Sequence, residues 1–377
     1  MNPIARLLCE LIEIPSINPG LCEDRPEITG ESRIAQFLEE RGVQAGLDVT
    51  RQQVFPGRDN LLVRLPAKGK MKRRFILAPH LDTVPVKEEG QLRAEVKDNR
   101  IYGRGACDTK GCVATYFHVL LELAEQGKLP NGTELLFVGL VDEECNQMGS
   151  REFARLGPKG DLAIVGEPTE LELITAHKGN LWLELSVAGR AAHGAEPQQG
   201  ESAIHKMAGI VEVLLTTYAK DLAQKSHQVL GSPTINIGCI RGGTQPNIVP
   251  DSCIIQIDRR TIPGETAESI LKGIRTALGR NGLDAGTIVE MRGVPCLPLE
   301  TDPNLKYVQQ LLSTTGRTRT CGVNYFSDAS PISQGGTPAV LFGPGSIAQA
   351  HRDKEWINWG QLELAAGMLK CFLENAQ

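Results

Sequence analysis

The stretch Phe75-Ile76-Leu77-Ala78-Pro79-His80-Leu81-Asp82-Thr83-Val84-Pro85 constrains the fold of this chain more than any other. Its apolar run, Phe75 to Ala78, lies between the basic pair Arg73-Arg74 and Pro79. That is the pattern of a short strand buried on both faces, and hence of a parallel sheet. A His and, two residues on, an Asp stand at the strand's carboxyl end, where open α/β sheets collect ligands and catalytic groups. A histidine ligand needs its second ring nitrogen held, and a nearby carboxylate does this. His80 as ligand and Asp82 as its orienter is one reading; a strand-end His beside a solvated Asp is equally open from these residues alone.

The rest of the chain places similar groups at similar positions. Helical spacing runs from Ile4 to Ile14 and from Glu31 to Arg41, the second expected to stop at Gly42. Strand-like runs follow at Val49–Phe55 and Asn60–Leu65, then the central run at Phe75. A helix is expected from about Cys112 to Gln126, and a strand from Leu135 to Val141 that ends in Asp142-Glu143-Glu144. A short helix, Ser150–Leu156, leads to a strand from Asp161 to Val165 that ends in Gly166-Glu167-Pro168-Thr169. Strands alternating with helices, with acids or His at three strand ends, argue an α/β domain with one site at the sheet's C-terminal edge.

Between Gly179 and about Gly293 the order changes to β-α-β-β-α-β, with a long helix expected over Ser202–Leu222. This is a ferredoxin-like split βαβ unit, inserted into the first domain. The first domain then resumes with a helix near Asn304–Thr314, a strand Ala339–Phe342 and a last helix from about Trp359. The expected domains are therefore 1–178 with 294–377, and 179–293, in keeping with a length of 377 residues.

Composition narrows the function classes. A formal charge of -5 and a pI near 5.9 give no sign of a nucleic-acid surface, and no run approaches a membrane span or a signal peptide. Ten scattered cysteines without a CxxC pair favour free thiols and a reducing, cytoplasmic setting.

His80, Asp108, Glu144, Glu167 and His351 all fall at loop or strand-end positions. Two His and three carboxylates suit zinc, with cobalt or manganese as substitutes. Five side chains exceed what one catalytic zinc with an open position takes, but fit two metals if one carboxylate bridges them. Glu143, beside a ligand, is then free to act as general base. Gly103-Arg104-Gly105 lacks the third glycine of a dinucleotide fingerprint.

The motifs His80-Leu81-Asp82-Thr83-Val84-Pro85, Gly103-Arg104-Gly105-Ala106-Cys107-Asp108-Thr109-Lys110-Gly111, Asp142-Glu143-Glu144, Gly166-Glu167-Pro168-Thr169 and Ala350-His351 resemble those of the co-catalytic zinc amidohydrolases of the M20 peptidase family. That family includes acetylornithine deacetylases, succinyl-diaminopimelate desuccinylases, aminoacylases and carboxypeptidase G-type enzymes. The resemblance spans nearly the whole chain. It implies a zinc-peptidase-like catalytic domain with a mixed, largely parallel sheet, plus an inserted lid and dimerisation domain. It further implies Asp108 as bridging ligand, His80 and Glu167 on one zinc, and Glu144 and His351 on the other. Glu143 would be the base, Asp82 would stand behind His80, and the bond after Asp108 would be cis. Thr109 stands where many members carry Met.

In the inserted domain, Gly189-Arg190-Ala191-Ala192-His193-Gly194-Ala195-Glu196-Pro197 resembles the family's lid motif, with Gly194 in place of a commoner Ser. The resemblance makes His193 the residue that steadies the oxyanion in the partner subunit's site, and Asn247 and Arg260 the binders of the substrate carboxylate. Choosing Arg260 over Arg259 rests on that alignment alone, and the pair reads equally as a basic surface patch. Ala176-His177-Lys178-Gly179 and Gly343-Pro344-Gly345-Ser346-Ile347-Ala348-Gln349-Ala350-His351 resemble the acetylornithine deacetylase branch, which adds Lys178 and Gly345 as substrate contacts. The implied reaction is hydrolysis of a small N-acyl amino acid such as N2-acetylornithine, by a homodimer with two zinc ions. The alternatives are desuccinylase, aminoacylase or dipeptidase chemistry on the same scaffold, and a non-catalytic metal-binding dimer.

Overall fold

The apolar run at Phe75 forms the strand Arg73–Pro79 in the computed structural model, which describes residues 1–291 and 293–376. Phe75 to Ala78 are fully buried, as expected of a strand covered on both faces. Neighbouring strands follow the order Asp48–Phe55, Arg58–Leu65, Thr133–Gly139, Arg73–Pro79, Leu162–Gly166, Ala339–Phe342. The first two form an antiparallel edge on Thr133–Gly139, and the last four run parallel, so the sheet is mixed and largely parallel. Pro79 lies opposite Gly166, and Gly166 opposite Phe342. That register brings the carboxyl ends level, so the residues that leave them share one edge.

These strands belong to a unit formed by Met1–Thr175, Glu300–Gly322 and Ser327–Gln377. Its core includes helices Pro3–Ile12, Lys110–Gln126 and Trp359–Asn375, and Phe75 packs edge-on against Tyr307 and Phe372 with ring centroids 5.0 Å apart. A small antiparallel sheet joins Glu95–Lys97, Arg100–Tyr102 and Trp356–Asn358.

The second unit, Ala176–Leu299 with Val323–Phe326, has an antiparallel sheet ordered Thr234–Gly242, Ser252–Thr261, Gly179–Ala188, Thr287–Glu290. Two helical segments, Ala203–Ala223 and Ala267–Arg280, separate these strands in the β-α-β-β-α-β order. Leu183, Leu185, Ile255, Ile257, Ile270 and Ile274 pack between sheet and helices.

Two local expectations need correction. The second helix does not stop at Gly42 but runs from Ser32 to Gln44. A Cβ at Gly42 would lie 3.0 Å from Val63 and 3.1 Å from Val49, so this glycine allows helix and sheet to approach. The helix over 203–223 is likewise interrupted by a π turn, Leu214–Tyr218.

Candidate functional site

His80 leaves the central strand through a parallel bridge to Leu140 and is buried. Its Nε2 lies 3.1 Å from Asp108 Oδ1, and its Nδ1 lies 3.0 Å from the main-chain oxygen of Asp82. The Asp82 carboxylate is farther from Nδ1, at 3.5 Å. Asp82 thus faces Nδ1 with its main-chain oxygen and, farther off, with its carboxylate. Its carboxylate is used elsewhere, accepting from the amides of Glu143 (3.1 Å) and Glu144 (3.0 Å) and from the Asn18 side chain (2.7 Å). Asp82 thus fixes the segment that carries both glutamates.

Asp108 precedes helix Lys110–Gln126 and is joined to Thr109 by a cis peptide bond. Its second oxygen lies 3.3 Å from His351 Nε2, and that nitrogen is 3.1 Å from Glu144 Oε2. One ligand atom from each of His80, Asp108 and Glu144 lies within 4.8 Å of the others. Glu167 directly follows strand Leu162–Gly166 and is buried, as is Glu143. His351 has φ 61° and is the exposed member, with its side chain 54% accessible.

The electrostatics are those of a crowded acidic cluster. Burial pushes the Glu143 and Glu167 carboxyls well above the usual range, and burial with the Asp108 charge pushes Glu144 up to about 7. Burial acts the same way on Asp108, but hydrogen bonds to His351 and His80 outweigh it and hold this carboxyl low. Hydrogen bonds to Asp108 and Glu144 raise His351 to about 10. Among the described residues, Glu144 Oε1 and Glu167 Oε1 are buried without a hydrogen-bond partner. Buried carboxylate oxygens of this kind are costly unless paired, and imidazole with carboxylate is the donor set of zinc and related divalent ions. The residues present fit a divalent metal.

In the inserted unit, a bridge between His193 and Ile248 and a bond from the Gly194 amide to Asn247 O (2.8 Å) bring His193 and Asn247 to one exposed edge. Arg259 is fully buried and paired to Glu265 at 2.6 Å, whereas Arg260 is about a third exposed beside Asp258. The basic pair is therefore not one surface patch. Lys178 donates to Ser232 O at 2.7 Å. The Gly345 amide donates to Gln361 (2.6 Å), its carbonyl accepts from Glu170 (2.7 Å), and a Cβ there would lie 2.6 Å from Cys107 Sγ. The close approach of Cys107 Sγ is one that only a glycine allows.

Several buried polar residues escaped the reading of the sequence. Asn18 also donates to Asp142 (3.1 Å), which takes a further bond from Arg58 (3.2 Å), and Arg58 grips Glu31 with two nitrogens at 2.6 and 2.7 Å. Asp328, held by the Ser150 hydroxyl at 2.5 Å, is pushed by burial up to about 7. Glu355 binds the segment that leads to Asp108. Asn18 lies between Pro15 and Pro19 in a segment whose prolines and polar residues read only as loop, and nothing in the pattern marks Glu355.

The profile of Peptidase family M20/M25/M40 matches residues 76–375. An acetylornithine deacetylase of Vibrio campbellii is 30% identical over 344 residues, 88% of each chain. Among solved structures, a Staphylococcus aureus tripeptidase superposes with a TM-score of 0.77 at 22% identity, covering 99% of this chain and 97% of that one. A dinuclear metal-binding peptidase of the M20 family from Bacillus subtilis superposes with a TM-score of 0.69 at 12% identity, covering 98% and 96%.

Proposed function

The chain belongs to peptidase family M20/M25/M40, and from that premise we propose that it removes an acetyl group from the amine of an amino acid, converting N2-acetylornithine to ornithine and acetate. Membership makes it a metal-dependent hydrolase. The observation that carries the hydrolytic reading is the buried convergence of His80, Asp108 and Glu144, with unpaired carboxylate oxygens on Glu144 and Glu167. The narrower substrate follows the relatives named acetylornithine deacetylase and the two stretches around Lys178 and His351.

Two zinc ions, replaceable by cobalt or manganese, would be held by His80 and Glu167 on one side and Glu144 and His351 on the other, with Asp108 between them. When bound, such a pair acidifies a water and polarises the scissile carbonyl. Glu143 takes the water's proton and passes it to the leaving amine, and a carboxyl raised by burial is suited to hold that proton between the two transfers. His193 donates to the developing oxyanion, a role worth roughly 2.7–4 kcal/mol in a well-studied protease. Arg260 and Asn247 hold the substrate carboxylate, for which guanidinium offers a planar fork. The inserted unit would act as lid and as the contact of a homodimer. Its edge strand Thr234–Gly242, with Ile240 59% exposed, supports that contact. The free cysteines are in keeping with a cytoplasmic setting.

The test is amine release by metal-stripped protein with and without added zinc or cobalt. N2-acetylornithine, N-succinyl-diaminopimelate, an acyl-methionine and, because of the likeness to a tripeptidase, a tripeptide form the panel. Metal-dependent release fastest from N2-acetylornithine is the expected result. Preference for another member discards the substrate and keeps the chemistry. Silence across the panel with metal bound favours the non-catalytic homologue.

A further inference from the structure

We propose that Glu355 is a positioning residue that sets the span between Asp108 and His351, and thereby the affinity for the metal ion held on the His351 side. The proposal rests on the two-metal reading above.

The small antiparallel sheet places Glu355. Trp356 pairs with Tyr102 and Ile357 with Ile101, and the Gly103 amide donates to Glu355 O at 3.1 Å. This pairing carries Glu355 across the segment from Gly103 to Asp108. Its carboxylate is 1% exposed and accepts four bonds. Oε1 takes the amides of Cys107 (2.8 Å) and Asp108 (3.0 Å), while Oε2 takes the amide of Gly105 (3.1 Å) and Arg104 Nη1 (2.7 Å). The Arg104 guanidinium is itself buried and donates to Pro85 O at 3.1 Å. Every turn of this segment toward Asp108 is thus tied to one carboxylate.

That carboxylate lies four residues beyond His351. One side chain therefore joins the backbone carrying Asp108 to the backbone carrying His351, and the two ligands meet at 3.3 Å. His80 and Glu167 are fixed differently, by adjacent parallel strands whose ends are in register. Loosening Glu355 leaves His80 and Glu167 fixed by their strands, so the ion on that side loses only the steadiness of the shared Asp108, whereas the ion on the other side also loses the span that places His351. Groups that orient metal ligands typically govern affinity by about 10–100-fold when removed.

The experiment is calorimetric titration of Zn2+ into metal-stripped wild-type protein and Glu355→Gln, with amide hydrogen exchange followed over residues 103–108 of the metal-free chains. The amide side chain keeps the volume and presents an N–H where an acceptor is needed. The expected result is two ions on wild type. The variant binds the second ion about 10–100-fold more weakly and the first, which shares Asp108, with a clearly smaller loss, and faster exchange is confined to the Gly105–Asp108 amides. Arg104→Met, which leaves the three backbone donors on the carboxylate, gives the same pattern with a smaller change, and it decides the matter if Glu355→Gln does not fold. Two ions bound with wild-type affinities by the variants overturn the proposal, as does equal weakening of both ions, which marks Glu355 as a general fold anchor. Fewer than two ions on wild type overturns the two-metal reading, and the proposal with it.

Discussion

At the strand-end cluster, His80, Asp108, Glu143 and Glu167 are each at most 7% exposed; His80 and Asp108 meet at 3.1 Å, and the Glu143 amide is held by Asp82. In the inserted unit, His193 and Asn247 are exposed, and the imidazole accepts a local bond from the Ala195 amide at 3.1 Å. The contrast separates two jobs. Groups proposed to bind a metal or carry a proton need preorganisation, and those at the sheet edge have a buried polar shell around them, while His351 joins from a loop and stays half exposed. Groups that meet a substrate tolerate exposure, because loops carry recognition while a scaffold carries chemistry.

The comparison can be broken at several points. The largest effect is expected from Glu143→Ala, which should lower kcat by about 10²–10⁴-fold while zinc binding stays at the wild-type level. A fully active variant removes Glu143 as the base. Next comes Arg259→Ala, which strips a buried ion pair from Glu265 and should destabilise the protein by about 3–5 kcal/mol in urea unfolding.

His177 sharpens the comparison through pH. It is buried, with Nδ1 3.0 Å from Lys178 O and Nε2 without a partner, and burial lowers its pKa from 6.5 to about 4. The folded state therefore binds fewer protons than the unfolded chain between those values. Stability from this group is whole above pH 6.5, falls as pH drops toward 4, and changes no further below. The loss is on the order of 3 kcal/mol, and His177→Phe should flatten that part of the urea-unfolding profile.

Asn18→Ala should weaken zinc affinity by about 10–100-fold, because it removes a donor to the Asp82 and Asp142 carboxylates. The smallest change is expected from Arg260→Ala. Steady-state kinetics should show kcat/KM down by about tenfold, from the loss of one charge-assisted bond worth ~1.5 kcal/mol, with stability unmoved. Destabilisation by Arg260→Ala instead of Arg259→Ala reverses the assignment of the pair.

How much of this was legible follows from the same contrast. The residues at strand ends stood out because an apolar run announces a buried strand, and a polar residue directly after it has one place to go. Phe75 to His80 and Leu162 to Glu167 carry that signal plainly. Glu31, Arg58 and Glu355 carry none, since each reaches its partner through a fold-dependent contact that no spacing encodes. The stop at Gly42 failed because a glycine that lets a helix approach a sheet looks, in sequence, like one that ends it. Gly345 shows the same ambiguity: a motif glycine marks close packing as readily as ligand contact.

The central claim is that the five strand-end and loop residues form a two-metal centre. Crystals of zinc-loaded protein, measured on either side of the zinc absorption edge, test it most directly. The account predicts two anomalous peaks roughly 3.5–4 Å apart, flanking the Asp108 carboxylate, with His80 and Glu167 at one and Glu144 and His351 at the other. A single peak, or peaks away from Asp108, would contradict it.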